Sequence, residues 1–307
     1  MDISFLLLIC LLLIKFASST NNYVSLAAGS SAHGTYYGDG GQATLAGFSN
    51  PVGLWGNTNG EYYVADKDSQ TVRKVATTGI ISAFAGNSAG SGNTGDNGAA
   101  TSARLSSPFG VVGSSTGIVF IADTSNNAIR QVSTTGIMTT VFGSVSTSGH
   151  AGDGGKATSA TLSQPRSMWV DSNNNYLYVS DYGNNAIRRM DLSTSIVTVL
   201  VNSAYGGTSG GDGGAATSAV IRNPFGIYGD GSTLVYVAEN GNFKIRAFTT
   251  TTNLITTAAG TGTITAYYGD TPATSASFVK PQGVWGDTNG NVFITDVKNN
   301  LLLSVCS

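Results

Sequence analysis

The chain has 307 residues, 41% of them hydrophobic and only 10% charged, with 15 Lys+Arg against 17 Asp+Glu and a net charge of −2. No basic stripe or polybasic run is present, which argues against nucleic acid or an anionic membrane surface as a partner. The 41 glycines are compatible with disorder, but the apolar residues fall in regular short runs, the pattern of a folded, turn-rich β protein.

Residues 5–14 (FLLLICLLLI) form an unbroken apolar run, followed by Ala17-Ser18-Ser19. An apolar core and small residues before a cut are the marks of a secretory signal, expected here over 1–19. The run is shorter than the ~20 apolar residues of an ordinary spanning helix. Its leading Met1-Asp2-Ile3-Ser4 carries no positive charge, so an uncleaved anchor is the alternative. The rest, 20–307, is expected to be secreted and soluble, with no membrane insertion after signal removal. The two cysteines are Cys10 and Cys306. Loss of the signal leaves one thiol and no internal disulfide. Cys306 falls in an expected strand with no histidine beside it in sequence, so it reads as a buried or edge thiol and not as a nucleophile. No Asn-x-Ser/Thr acceptor occurs.

From there the chain repeats itself five times with a period of 57 to 59 residues. A Gly-Asp pair recurs at Gly38-Asp39, Gly95-Asp96, Gly152-Asp153, Gly211-Asp212 and Gly269-Asp270. A proline follows at Pro51, Pro108, Pro165, Pro224 and Pro281. An acid ends a short apolar run at Asp66, Asp123, Asp181, Glu239 and Asp296, and seven residues later comes Arg73, Arg130, Arg188, Arg246 or, in the fifth copy, Leu303. Each copy reads as four strands: in the second, 109–112 (a), 118–122 (b), 128–132 (c) and 137–142 (d). All are short, rich in Val, Ile, Phe and Tyr, and bounded by Gly, Asn and Ser. Sheets of such strands must cover one another's faces, and radial packing does this while leaving short edges. The expected fold is all-β, a five-bladed β-propeller of four-stranded antiparallel blades over about 51–86, 108–143, 165–202, 224–260 and 281–306 plus 22–29. The fifth copy stops after strand c, and 23–29 (YVSLAAG) matches the fourth-strand segments 80–86 and 254–260. The N-terminal strand is therefore expected to complete the last blade and close the ring. A product lacking a sixth blade is the alternative.

The stretches Ile121-Ala122-Asp123-Thr124-Ser125-Asn126-Asn127-Ala128-Ile129-Arg130 and Val179-Ser180-Asp181-Tyr182-Gly183-Asn184-Asn185-Ala186-Ile187-Arg188 resemble the NHL repeat. The inserted Gly-Asp-Gly-Gly-x-Ala-Thr-Ser-Ala-x-Leu-x-x-Pro segment at 152–165 is similar to the long NHL variant of the teneurins and of bacterial and protist secreted proteins. The resemblance covers about 23–305 and implies a propeller fold more than any one function. Two departures stand out. NHL propellers usually have six blades, and the arginine usual after Asn-Asn is replaced by Ala128, Ala186 and Leu301.

The repeated ionisable residues have an architectural explanation. If Asp123 faces Ala128 across the b–c hairpin, Arg130 faces Ile121, and acid and arginine lie diagonally on one face within reach. The acid can also accept backbone N–H bonds from the turn. Ligand binding is the competing reading. The Gly-Asp turns offer one carboxylate each, too few for calcium, which takes six to eight oxygens; no metal or other cofactor is expected. The Ala-Thr-Ser-Ala that follows is expected to form a short helical turn resting an apolar residue on the blade edge. The fourth residue after each proline (Trp55, Val112, Trp169, Tyr228, Trp285) is expected to pack between blades, with a sugar platform as the alternative.

The sharper binding candidates break the repeat. The d-to-a insertion and the b–c hairpin should open on one face, and Tyr36, Tyr37, Tyr267 and Tyr268, with His33 nearby, would form an exposed patch between the first and last blades. Tyrosine favours interfaces; packing of each within its own loop is the bland alternative. No catalytic set is apparent. The two histidines, His33 and His150, fall in insertions of non-adjacent blades and cannot build a three-His zinc site. The peptide-amidating lyases, which resemble this fold, rely on several metal-binding histidines. No Gly-x-Ser-x-Gly elbow or phosphate loop is convincing. The reading is a secreted scaffold binding a protein or peptide on the insertion-bearing face. A multivalent lectin with pockets lined by the aromatic positions and the Asn-rich turns is the alternative, and a glycoside hydrolase or lyase-like enzyme stands third.

Overall fold

The computed structural model describes residues 26–30, 34–202, 210–231, 233–264, 271–287 and 290–305. The fold is all-β, a five-bladed β-propeller of antiparallel sheets. The first sheet runs β1 (Pro51–Gly56), β2 (Tyr62–Asp66), β3 (Thr71–Val75), β4 (Ile81–Ala85), in that spatial order. The second is β5 (Pro108–Gly113), β6 (Val119–Asp123), β7 (Ala128–Val132), β8 (Met138–Phe142). The third is β9 (Pro165–Val170), β10 (Tyr176–Asp181), β11 (Ala186–Asp191), β12 (Val197–Asn202), and the fourth β13 (Pro224–Gly229), β14 (Leu234–Glu239), β15 (Lys244–Thr249), β16 (Ile255–Ala259). The fifth has three strands among the described residues, β17 (Pro281–Gly286), β18 (Val292–Asp296) and β19 (Leu301–Val305).

Two compact units divide the chain, Met1–Thr140 and Val141–Ser307. In the first, a Cβ on Gly53 of β1 would lie 2.0 Å from the Phe109 carbonyl oxygen of β5, so the first strands of successive blades touch. In the second, Gly226 of β13 stands in the same relation to Gln282 of β17, at 2.4 Å. Consecutive blades share apolar cores: Ile187, Val201, Ile227, Val237 and Phe248 form one buried cluster, and Ala238, Ile245, Phe278 and Ile294 another. Each buried Ile, Val or Phe side chain contributes about 1.5–3 kcal/mol.

The aromatic positions meet a glycine of the next blade. A Cβ on Gly113 would sit 2.2 Å from Trp55, on Gly229 2.3 Å from Trp169, and on Gly286 2.5 Å from Tyr228. The absent side chain is the slot that the ring fills. Trp285 is 40% exposed and rests on Phe293 and Tyr228 at 5.9 and 6.2 Å.

In four blades the insertion runs along the outer edge of the fourth strand. Gly154 N–H donates to Val197 O at 2.8 Å, and Val197 N–H returns to Gly155 O at 3.0 Å. The same pair of bonds joins Gly40-Gly41 to Ile81, Asn97-Gly98 to Met138 and Gly213-Gly214 to Ile255. A two-residue strip thus caps an edge that would otherwise offer unpaired backbone groups. The chain then makes a 3-10 turn, Ala43–Leu45, Ala100–Ser102, Ala157–Ser159 or Ala216–Ser218, whose first alanine is buried.

The segment expected to finish the fifth blade, 22–29, is described only from Leu26, and 26–29 carry no ladder. Gly29 N–H instead donates to Ala43 O at 2.9 Å. Gly86, Gly143 and Gly260, each just beyond a fourth strand, make this same bond to Ala100, Ala157 and Ala273. Only the turn beyond the expected strand is reproduced: residues 26–28, aligned with Ala83–Ala85 of β4, are in no ladder, and 22–25 lie outside the described residues.

The Gly-Asp turn explains its own glycines. Gly152 has φ +99°, and a Cβ there would lie 2.5 Å from the Ala160 Cα; Gly154 has φ +80° with nothing within 4 Å. Gly154→Ala is expected to cost about 1–2 kcal/mol from backbone strain alone. Gly152→Ala adds overlap with backbone and is expected to cost about 3 kcal/mol. Urea unfolding of the two variants checks the difference; equal losses would contradict the steric account.

Candidate functional site: the insertion-bearing ends of the blades

Period-two alternation places the repeat acid and arginine on one face. Asp123 pairs with Ala128 and Ile121 with Arg130, and the other blades share this register. Arg130 Nη1 lies 3.2 Å from Asp123 Oδ2, Arg246 Nη1 3.1 Å from Glu239 Oε1 and Arg188 Nη1 3.6 Å from Asp181 Oδ2, with all six side chains essentially inaccessible. In the first blade the arginine leans wholly to the insertion. Its guanidinium donates to Asp39 Oδ1, to Gly47 O and to Tyr37 O, while Ser69 Oγ donates to Asp66 Oδ2 at 2.6 Å.

The second carboxylate on each arginine comes from the Gly-Asp insertion. Asp39, Asp96, Asp153 and Asp212 lie 2.8, 2.7, 2.9 and 2.8 Å from the Nη2 of Arg73, Arg130, Arg188 and Arg246. Reading the aspartate as a turn residue misses this pairing. A constant offset from Asp to Arg of 34 or 35 residues is the available signal. The insertion is thus pinned from beneath by its own blade. The Asn of the b–c turn adds a second tie: Asn126 Nδ2 donates to Gly92 O at 2.7 Å and Asn184 Nδ2 to Gly149 O at 2.6 Å.

The strand-b acids take their backbone bonds from a different place than the turn. Asp123 accepts from Ser106 N–H, Asp181 from Ser163 N–H and Asp66 from Ser49 and Asn50 N–H, all just ahead of the strand-a proline. The hairpin contributes a side chain instead, since Asn126, Asn184 and Asn299 donate to Asp123, Asp181 and Asp296. The reason is register: the acid is opposite the proline that opens the first strand, so the residues entering that strand lie over its carboxylate. In the fifth blade Leu303 replaces the arginine, and Asp296 is held by Val279 and Lys280 N–H and by Asn299; Asp270 lies outside the described residues.

Burial pushes Asp123 up to about 6 and Asp181 up to about 7, against the lowering by their asparagine, backbone and arginine donors. Burial also raises Glu239. One guanidinium serves two carboxylates here, the buried strand acid and the more exposed insertion aspartate. A folded-state pKa above the unfolded value of ~3.9 means that the folded state holds more protons between about pH 4 and 7. Stability from these groups is fully present below that window and falls as pH rises through it. Thermal midpoints are therefore expected to drop from pH 5 to pH 8, and Asp181→Asn is expected to flatten that slope. Exposed Asp191, lowered to about 2 by Ser193 and Thr194 donors, titrates below the window. Truncation is harsher. Arg130→Met leaves Asp123 and Asp96 without their cation and is expected to cost about 3–5 kcal/mol. The double variant with Asp123→Leu should recover part of that loss in chemical denaturation.

Of the exposed-patch candidates, Tyr36 and Tyr37 are described, and His33, Tyr267 and Tyr268 lie outside the described residues. Tyr36 packs within its own loop: its hydroxyl donates to Asp39, and the Arg73 guanidinium lies 4.7 Å from its ring centroid. Burial, reinforced by Asp39, raises its pKa. Tyr37 is 39% exposed, with its hydroxyl 2.6 Å from Ser30 Oγ. In the first blade the aromatic position and the b–c turn lie toward opposite ends of the strand pair. Trp55 pairs with Tyr63 while Asp66 at the turn pairs with Pro51, so ring and turn are about 13 Å apart along the strand. Among the described residues, no cluster of three or more His, Cys, Asp or Glu is placed to hold a metal, and no helix is long and apolar enough to cross a membrane.

A family model described as the teneurin NHL domain matches residues 87–150, one full insertion, the four strands of the blade after it and the start of the next insertion. The NHL repeat-containing protein 2 of Bos taurus is 32% identical over 165 residues, covering 50% of this chain and 22% of that protein. The chain thus spans under a quarter of that relative's length. Among solved structures, an auxiliary nutrient binding protein from Bacteroides ovatus superposes with a TM-score of 0.62 at 13% identity, over 85% of this chain and 60% of that one. A chain of a nidogen/laminin complex superposes with a TM-score of 0.56 at 14% identity, over 84% and 76%. At such identities these two likenesses concern the fold alone.

Proposed function

Since the chain belongs to the NHL-repeat propeller family, we propose that it is a secreted scaffold that binds a protein or peptide on the face bearing the Gly-Asp insertions. One observation carries this reading. The same arginine–aspartate clamp holds different residues in the first four blades: immediately ahead of the Gly-Asp stand Tyr37, Thr94, Ala151 and Gly210. Varied side chains on a fixed frame are the arrangement of a recognition surface. Exposed apolar residues on the first insertion, Tyr37 at 39% and Leu45 at 69%, supply contact area; Ser102, Ser159 and Ser218 stand where Leu45 does. The nutrient-binding and laminin-complex folds are compatible with binding without naming a ligand. Secretion rests on the apolar 5–14 run.

The mature chain, immobilised, is expected to capture a protein or peptide from its native extracellular medium. The double variant Tyr37→Ser/Leu45→Ser should weaken that capture about tenfold. Its thermal midpoint should stay within about 2 °C, as for surface changes. Capture unchanged in that variant would move the binding surface off this insertion, and no capture at all would sink the scaffold reading. A glycan-binding second reading has one observation in its favour, the 40% exposure of Trp285 beside Tyr228. Glycan-array binding lost on Trp285→Ala would favour it.

A further inference from the structure

We propose that the second unit carries a docking surface for an acidic peptide segment of a partner, at the insertion-bearing end of blades four and five, built from Arg222, Lys244, Lys280 and Lys298 with the exposed Ile264 beside them. This rests on the peptide-binding reading above and names the chemistry of the segment recognised.

The four cations are scattered along the sequence and gathered by the fold. Arg222 enters blade four, and a Cβ on Gly241 of the b–c turn would lie 2.7 Å from its Cγ. The Gly241 N–H donates to the Arg222 carbonyl at 3.1 Å. Lys244 leaves that turn, with its Cε 2.7 Å from where a Gly262 Cβ would stand. The turn reaches blade five through Asn240 Nδ2, which donates to Pro281 O at 3.2 Å. Lys280 precedes that proline, and its carbonyl accepts from Val297 N–H at 3.2 Å, next to Lys298 in the b–c turn of blade five. Hydrogen-bonded backbone thus links the positions of Arg222, Lys280 and Lys298 through the turn that Lys244 leaves.

Their lack of partners is the second observation. Arg222, Lys280 and Lys298 are exposed and Lys244 is half-buried. None of the four forms an ion pair among the described residues. The described acids at this end of blades four and five are engaged elsewhere. Glu239 and Asp212 hold Arg246, and inaccessible Asp296 is held by Val279 and Lys280 N–H and by Asn299. Asp270 lies outside the described residues. In the other copies the same positions hold hydroxyl, amide, small or apolar residues and once Asp68, never a cation. The repeat therefore does not call for positive charge here. The a–b turns at the other end of these blades carry Asp230 and Asp287, which accept from Leu234 and Asn291 N–H across their own turns. Positive charge concentrated at one end steers an anionic partner to it.

Ile264, two residues beyond Gly262, is 57% exposed. A peptide supplies carboxylates and an apolar group on one chain, whereas the repeating charge of a sulfated glycan or a nucleic-acid backbone leaves the isoleucine unmatched. Lysine ammoniums on flexible stems need no fixed spacing between the carboxylates they meet.

Fluorescence anisotropy at low ionic strength, with the mature chain and the fluorescein-labelled peptide Glu-Glu-Leu-Glu-Glu-Leu, tests this. Binding is expected to weaken as salt rises. It should fall at least about tenfold with Lys280→Gln/Lys298→Gln and with the peptide's glutamine counterpart. Both changed side chains are exposed, so the thermal midpoint of that variant should hold. Lys67→Gln/Lys156→Gln removes the same charge elsewhere and should bind as the parent does. Ile264→Ser should lose several-fold on this peptide and nothing on its Glu-Glu-Ser counterpart. Equal binding of the glutamine peptide, equal loss in the two double variants, or tighter binding of a sulfated heparin fragment or a single-stranded oligonucleotide overturns the proposal. The scaffold reading fails separately. If the mature chain captures its partner and Lys280→Gln/Lys298→Gln captures it equally, only this surface is lost; a chain that captures nothing from its native medium fails the scaffold reading instead.

Discussion

A guanidinium buried between two carboxylates holds each of blades two, three and four to the loop that precedes it. Removing such a group from water is expensive, and the cost is met only where every donor finds an acceptor. Arg188 shows how this is achieved, donating to Asp153, to Thr161 O and to Ala151 O. Two of its acceptors are backbone carbonyls of the insertion, so the loop cannot move without exposing the charge to an unpaired, buried state. The position of the loop is thereby coupled to the folding of the blade. The glycine before the insertion aspartate serves the same end, because a side chain there would push the turn off the alanine beneath it.

That coupling decides where recognition can sit. The ionisable residues that recur most regularly are spent within the blade and offer little to a ligand. Tyr36, one of the exposed-patch candidates, is partly drawn into the same network through Asp39 and Arg73. The Tyr37 side chain and Leu45 stay exposed, although the Tyr37 carbonyl accepts from Arg73. A rigid base under varied loop tips lowers the ordering cost of binding, so the expensive buried charge and the recognition surface are parts of one construction.

Features separated by a few residues were legible from the amino-acid sequence. The diagonal of Asp123 and Arg130 follows from strand alternation across a short turn, and the aromatic fourth position of strand a follows from its neighbours. Features that depend on a long loop folding back were not. The bond from Asp96 to Arg130 spans 34 residues, and nothing local in Gly-Asp distinguishes a turn aspartate from a salt-bridge partner. The source of the backbone bonds to Asp123 was missed for the same reason: Ser106 approaches from the strand-a side, across the sheet. Trp55 facing Gly113 was half legible, since burial could be expected of the ring but its glycine slot lies in the next blade.

Departures from the repeat differ in what they cost, and the difference sorts them. On a loop tip, Tyr37 for Thr94 or Ala151 costs the fold little, so variety there needs no structural cause. Inside a strand start, Arg166 for Phe109 or Phe225 places a cation where the repeat buries an apolar side chain, and Gln282 leaves an oxygen without a donor. Leu303 runs the other way: it removes the buried arginine from the fifth blade, and Asp296 is then satisfied by two backbone N–H groups and Asn299. A change that lightens the electrostatic load needs no function to explain it. A change that places a cation or an unmet acceptor where the fold otherwise buries an apolar side chain adds to that load instead, so the strand starts of blades three and five weigh on the fold where the missing arginine of blade five relieves it.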